Sequence, residues 1–183
     1  MIGLRTLVLN ANYMPVSIFP IHTVPAEDAI TRIFNGSMHS VFNYDRKIRH
    51  PSLDMHWPAV VARNKQGKMR ESVRFARDTV YYRDHGQCQY CQTPLEIKQT
   101  TYDHVIPRSR GGSHTWENVV ISCKSCNGAK GNRMPRDSFV PIQQPYRPTY
   151  WQLLANRRKF PITVDHPSWV DFFGEWEAQV YTR

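Results

Sequence analysis

The sequence predicts an α+β protein in which a small metal-stapled module sits between an N-terminal platform and a helical tail. Three observations carry that reading. Short β-favouring runs separated by turn-formers fill the first 76 residues around one capped helix, all four cysteines fall into two Cys-x-x-C pairs, and two aromatic-bearing amphipathic segments follow a proline-rich stretch near the C-terminus. The expected division is therefore 1–76 as a small α/β platform, 77–135 as the cysteine-held module, and 136–183 as an arm with helices. A chain of 183 residues with 40% apolar and 21% charged residues is an ordinary folded one, long enough for one core plus a module that a metal must hold together.

In chain order, "TLVLNANYMPVSIFP" (6–20) reads as two short strands around a turn at Asn10 to Pro15. A helix follows, with Thr23 as cap, Pro25 in its first turn, Glu27 and Asp28 at the positive end of its dipole, an apolar stripe of Ile30, Ile33 and Phe34, and a stop at Asn35-Gly36. "PAVVAR" (58–63) and "SVRF" (72–75) are the best further strands, joined by a polar turn around Gly67. From Arg77 a helix with Asp78 as cap and Val80 and Tyr81 facing inward runs to His85-Gly86. After Lys130 the proline-rich "GNRMPRDSFVPIQQPYRP" reads as an extended arm. Helices are then expected at 149–159, capped by Thr149 and burying Trp151 and Leu154, and at 167–180, whose stripe of Trp169, Phe172, Phe173 and Trp176 suits a core better than a base-stacking platform.

Two residues between thiolates let one tight turn aim both sulfurs at a single ion, so Cys88, Cys91, Cys123 and Cys126 together complete the tetrahedral shell that structural zinc prefers. Two disulfides are the rival reading. No apolar run reaches the length of a membrane span, and the N-terminus lacks a basic leader followed by an apolar block, so a cytoplasmic, reducing setting is expected, which favours the zinc. Four thiolates leave no position for water, and the chemistry must lie elsewhere. Twenty-four Lys and Arg against fifteen Asp and Glu give a formal charge of +9, which favours a polyanionic partner, nucleic acid first.

Between and around the cysteine pairs stand "DHVIPRSRGG" (103–112), Asn118 and "CKSCNGAKGNR" (123–133), in that order. This arrangement resembles the HNH endonuclease family in its four-cysteine zinc variant. The resemblance implies a β-hairpin followed by a helix, the ββα-metal module, with one divalent ion in its cleft over roughly 77–135. The opening "VLNANYMP" is similar, more loosely, to the start of bacterial and phage proteins of this family. Asp103 and Asn127 resemble the family's metal ligands, and Asn118 its central asparagine, which ties down the loop between the two strands. Two oxygen donors point to magnesium or manganese rather than a softer ion.

Phosphodiester hydrolysis needs a nucleophilic water, a base and positive charge beside the leaving oxygen. His104 is the expected base, because an imidazole titrates near neutrality and is aimed by a hydrogen bond to its second nitrogen. Lys130, on the helical face of Asn127, and Arg108 and Arg110 in the loop are expected to meet phosphates. Each has a plainer reading: His104 as a hydrogen-bonded structural residue, Asp103 as a turn carboxylate, Asn127 as a helix cap, Asn118 as an ordinary turn residue, and the arginines as a solvated loop. His114 is expected to face solvent. Because neighbours on a regular strand face opposite sides, Asp103 and His104 share one cleft only if the strand is twisted or bulged there. The expectation is a nuclease acting on DNA, alone, as a homodimer or with a partner protein. A zinc-stabilised nucleic-acid-binding protein without catalysis is the alternative.

Overall fold

Residues Arg5–Leu9 form β1, whose side chains from Thr6 onward are all buried, as befits a strand covered on both faces. The computed structural model describes residues 3–50, 54–67, 72–135 and 138–182. β1 pairs antiparallel with β2 (Thr23–Pro25). The second strand expected within 6–20 does not form. Isolated bridges Leu9 to Pro15 and Ile18 to Ile21 stand in its place, since Pro15 and Pro20 have no N–H to give a ladder. Thr23 is not a helix cap either: it lies in β2, where its Oγ1 accepts from Arg5 Nε at 3.0 Å. Helix α1 (Ala26–Phe34) starts one residue after Pro25 and stops at Asn35 and Gly36, whose N–H groups bond back to Thr31 and Ile33. Its seat on the sheet is the small pair Ala26 and Ala29 with Ile33 beside them, and Phe34 is left 65% exposed.

β3 (Met38–Lys47) runs antiparallel to β4 (His56–Arg63), and β4 runs parallel to β1, giving the order β2-β1-β4-β3. Val8, Val16, Val24, Ala29, Met38 and Val61 form the core between this sheet and α1. "PAVVAR" is thus strand, as its β-branched run indicates. "SVRF" is extended but pairs with no strand among the described residues, because Phe75 is used as a wedge, stacked on Tyr102 at 5.9 Å and edge-on to Trp116 at 5.1 Å.

The second compact unit spans 72–157, whereas 158–183 groups with 1–71, so the stretch 136–183 is shared between the two. In the second unit α2 (Arg77–Arg83) buries Val80 and Tyr81. Its start is held by the Thr79 hydroxyl, which accepts from Ala76 N at 3.0 Å, rather than by Asp78. β5 (Thr101–His104) and β6 (Val119–Ser122) form an antiparallel hairpin, and α3 (Lys124–Lys130) follows at once, so the unit holds the expected ββα order. The arm packs on the first cysteine turn through Ile142 N to Gln89 O, 2.8 Å, and the Phe139 ring against Tyr90. α4 (Tyr150–Arg157) is capped reciprocally by Thr149 and Gln152. It buries Tyr150, Leu153 and Leu154, which share one face at i, i+3 and i+4. Trp151 lies off that face, 52% exposed, contrary to expectation.

From Arg158 the chain returns to the first unit. β7 (Ile162–Val164) pairs in parallel with β8 (Val180–Thr182), and no helix spans 167–180. Only a 3₁₀ turn at Pro167–Phe172 forms, because Gly174 takes φ +71° and the ladder to β7 claims residues 180–182. The core reading of the aromatics holds for Trp169, which is buried and donates from Nε1 to Ala59 O at 2.8 Å, and for the buried Phe173.

Candidate active site

Two local turns bring the cysteines together. In the first, Cys88 N bonds to Thr93 O and Gln92 N to Cys88 O, folding Cys88 and Cys91 onto one side. In the second, Cys123 stands at the N-cap of α3 and Cys126 lies in its first turn, with Cys126 N 3.4 Å from Cys123 Sγ. All four sulfurs fall within 4.8 Å of one another, the spacing of a four-sulfur metal shell and not of bonded pairs. Burial pushes the Cys88 and Cys126 thiols up, while hydrogen bonding with Thr93 draws Cys91 down to about 6 and hydrogen bonding with Ser125 draws Cys123 down. Binding a metal to such a set would release the protons of its thiols.

The β5–β6 ladder runs from Thr101–Ser122 to His104–Val119 without a shift of register. The bulge expected at Asp103-His104 is therefore absent from the ladder, and strand alternation sorts the side chains. Thr101 and Asp103 face α3, where Asn127 Nδ2 donates to Thr101 Oγ1 at 3.0 Å and to Tyr102 O at 3.1 Å. Lys130 Nζ lies 3.0 Å from Asp103 Oδ2 and donates to His104 O at 2.7 Å. The Asp103 carboxylate is buried and also accepts from the Tyr90 hydroxyl. The structure thus brings Asp103, Asn127 and Lys130 to one face of β5. It also corrects the reading of Lys130 as a phosphate contact: that ammonium is 1% exposed and engaged by Asp103, because the helix turn that follows Asn127 points it inward.

His104, last residue of β5, is half-buried on the other face. Its Nε2 lies 3.0 Å from Nδ1 of His114, whose ring sits edge-on to Phe75 at 4.9 Å and to Tyr102 at 5.6 Å. His114 was expected to face water; it is exposed, yet it is the partner of His104. Burial, then the nearby His114 and Arg108, hold the His104 imidazole below its ordinary value, against a weaker opposite pull from Asp103. The two rings meet because the loop between them is braced. Asn118, itself buried, accepts from Ile106 N at 2.8 Å and donates to Ile106 O at 3.0 Å and Ser113 O at 2.8 Å. Gly111 takes φ +84°, which favours glycine, and a Cβ on Gly112 would run into Ile106 O, so glycine is required at 112. Arg108 and Arg110 are exposed on the 3₁₀ turn of this loop.

Four residues, Tyr90, His114, Arg83 and Asp84, were not picked out as site residues by the sequence reading. Tyr90, lying inside the first Cys-x-x-C turn, links that turn to Asp103; burial and Asp103 together push its phenol up. His114 carried no signal except the adjacent Gly-Gly turn. Arg83 and Asp84 form a buried ion pair at 2.7 Å. Arg83 also donates to Trp116 O and Val119 O, while Asp84 accepts from Ile121 N, so α2 is fastened to β6 beneath the site. Burial pushes the Asp84 carboxyl up, against the pull of Arg83.

A divalent ion can be tested against the donors present. Asp103 offers carboxylate oxygens, and Asn127, whose amide nitrogen is engaged, offers its amide oxygen on the same face. Both are hard donors, and they fit an ion that completes its shell with water and phosphate. The four-cysteine cluster cannot supply that function, being closed.

Residues 88–133 match the family profile described as HNH endonuclease, and residues 6–70 match the one described as HNH endonuclease-associated, N-terminal domain. The chain is also 37% identical over 70 residues to the CRISPR-associated endonuclease Cas9 of Corynebacterium diphtheriae. That stretch is 38% of this chain and 6% of that protein.

Proposed function

We propose that this chain, which belongs to the HNH endonuclease family through residues 88–133, hydrolyses phosphodiester bonds of DNA, with His104 as the base that activates water. The supporting observation is the pair of rings: the 3.0 Å contact to His114 engages Nε2 of His104 and leaves Nδ1 as the nitrogen able to accept a proton. In this reading His104 donates from Nε2–H to Nδ1 of His114, and that bond would fix both the tautomer and the direction of the basic lone pair. Water gives its proton to Nδ1 as its oxygen bonds to phosphorus, and the bond from phosphorus to the 3′ oxygen breaks in line. The products are a 5′-phosphate and, once protonated, a 3′-hydroxyl.

Asp103 and Asn127 would hold a magnesium or manganese ion, which would supply positive charge to the developing 3′ oxyanion; because His104 is the last residue of β5, the scissile phosphate would have to lie across that strand end to meet both faces. Asp103 is kept in place for that role by Tyr90 and Lys130. Asn118 holds the loop that carries His114, and Arg108 and Arg110 offer exposed guanidinium groups to the flanking phosphates. Cys88, Cys91, Cys123 and Cys126 would hold a zinc ion, which would tie the turn carrying Tyr90 to the helix carrying Asn127 and so help to set the positions of Asp103 and its neighbour.

Nicking of supercoiled plasmid with magnesium or manganese tests the reading. Wild type is expected to convert plasmid to open circles, and His104→Ala is expected to lose that conversion by about 10²–10⁴-fold. A protein that binds DNA but nicks neither plasmid nor a labelled RNA with any divalent ion is a zinc-stabilised binding module instead.

A further inference from the structure

The first compact unit contains a cleft of about 560 Å³ lined by Arg46, Lys47, Ile48, Arg49 and Trp57. It arises where β3 leaves the ladder. Lys47 pairs with His56, and Ile48 N still bonds to Met55 O at 2.9 Å, so the run of cations is held against the start of β4, where Trp57 stands. Arg46, Lys47 and Arg49 are exposed, whereas Ile48 and Trp57 are half-buried, which makes the indole and the isoleucine the floor and the cations the rim. Among the described residues, no acidic one lines the cleft. The acidic neighbour Asp54 pairs with Lys47 at 2.7 Å, but both side chains are solvent-exposed, and such a pair yields readily to a competing anion.

We infer that this cleft binds single-stranded nucleic acid, with Arg46, Lys47 and Arg49 on consecutive phosphates and an unpaired base against Trp57. A cationic rim over an aromatic floor is the arrangement that grips a single strand, since charge tracks the backbone and any base offers a π-face. A duplex presents phosphates but keeps its bases stacked, so it can satisfy the rim and not the indole. The inference rests on the nuclease reading for the identity of the polyanion. It assigns a binding role to the N-terminal unit, separate from the residues that would cut.

The test is fluorescence anisotropy of a labelled oligothymidylate of about 16 nucleotides with full-length His104→Ala protein, so that the strand stays intact, across a series of salt concentrations. Combining Arg46→Ala with Arg49→Ala is expected to weaken binding at least tenfold and to lower the slope of log K against log salt by about 1.4, at about 0.7 per single-strand phosphate. Trp57→Ala is expected to weaken binding about tenfold, and Trp57→Phe to restore most of it. Unchanged affinity and slope in the double arginine variant would overturn the inference. So would a duplex that binds as tightly as the strand and loses as much with Trp57→Ala. Nicking by wild type is read separately: a chain that never nicks yet binds through this cleft sinks only the nuclease reading, and one that nicks while these variants bind normally sinks only this one.

Discussion

Replacing His114 by alanine removes the only group bonded to His104 Nε2 among the described residues, and the size of the effect can be worked from the structure. A neutral hydrogen bond at a partly exposed site contributes about 0.5–1 kcal/mol net. Releasing the His104 ring into about three χ1 wells adds RT ln 3, about 0.65 kcal/mol. The sum, about 1.2–1.7 kcal/mol, is roughly a tenfold loss of kcat. KM should stay within about twofold, because a neutral imidazole beside the base adds little to substrate binding. His114→Asn places an acceptor where Nδ1 stood and should recover most of the rate, although it loses the ring contacts to Phe75 and Tyr102. The assay is single-turnover cleavage of a labelled duplex at saturating enzyme, accompanied by nitrogen NMR of the His104 ring, which should show the proton on Nε2 in wild type and in the asparagine variant. An alanine variant within twofold of wild type, or an asparagine variant as slow as alanine, would refute the orienting role.

Three further outcomes are expected. Lys130→Met leaves the buried Asp103 carboxylate without its cation and should cost about 3–5 kcal/mol, measured by urea unfolding; adding Asp103→Asn should recover much of it, and additive losses would deny the coupling. Elemental analysis should find about one zinc per chain, and Cys88→Ser or a strong chelator should abolish the cooperative unfolding of residues 72–157, since a closed thiolate shell contributes folding free energy directly. Because burial, His114 and Arg108 depress the His104 imidazole, the ring stays neutral, and therefore basic, to lower pH than an ordinary histidine. The acid limb of kcat/KM, which reports the free enzyme, should accordingly fall below the ordinary histidine value of 6.5, and a limb above it would contradict the assignment.

What the residues disclosed by themselves is what depends on near neighbours in the chain. The cysteine spacing specified a four-sulfur shell because each Cys-x-x-C closes its own turn. Val60-Val61 within 58–63 pointed to a strand, and Thr149 caps α4 as expected, with the reciprocal bond from Gln152 found only in the structure. The ββα order was implied by the resemblance of those motifs to the HNH family, and β5, β6 and α3 follow it.

Tertiary packing decided the rest, because it joins groups whose separation leaves no periodic trace. His114 reaches His104 only once Asn118 has folded the intervening loop, and Phe75 becomes a wedge only when Tyr102 and Trp116 are there to receive it. Lys130 turns from a surface cation into a buried one because α3 lies against the Asp103 face of β5. Residues 167–180 have the pattern of a helix, but pairing of 180–182 with β7 and the left-handed Gly174 offer the backbone a different set of hydrogen bonds. Local pattern limits which conformations are accessible; contacts between distant segments choose among them.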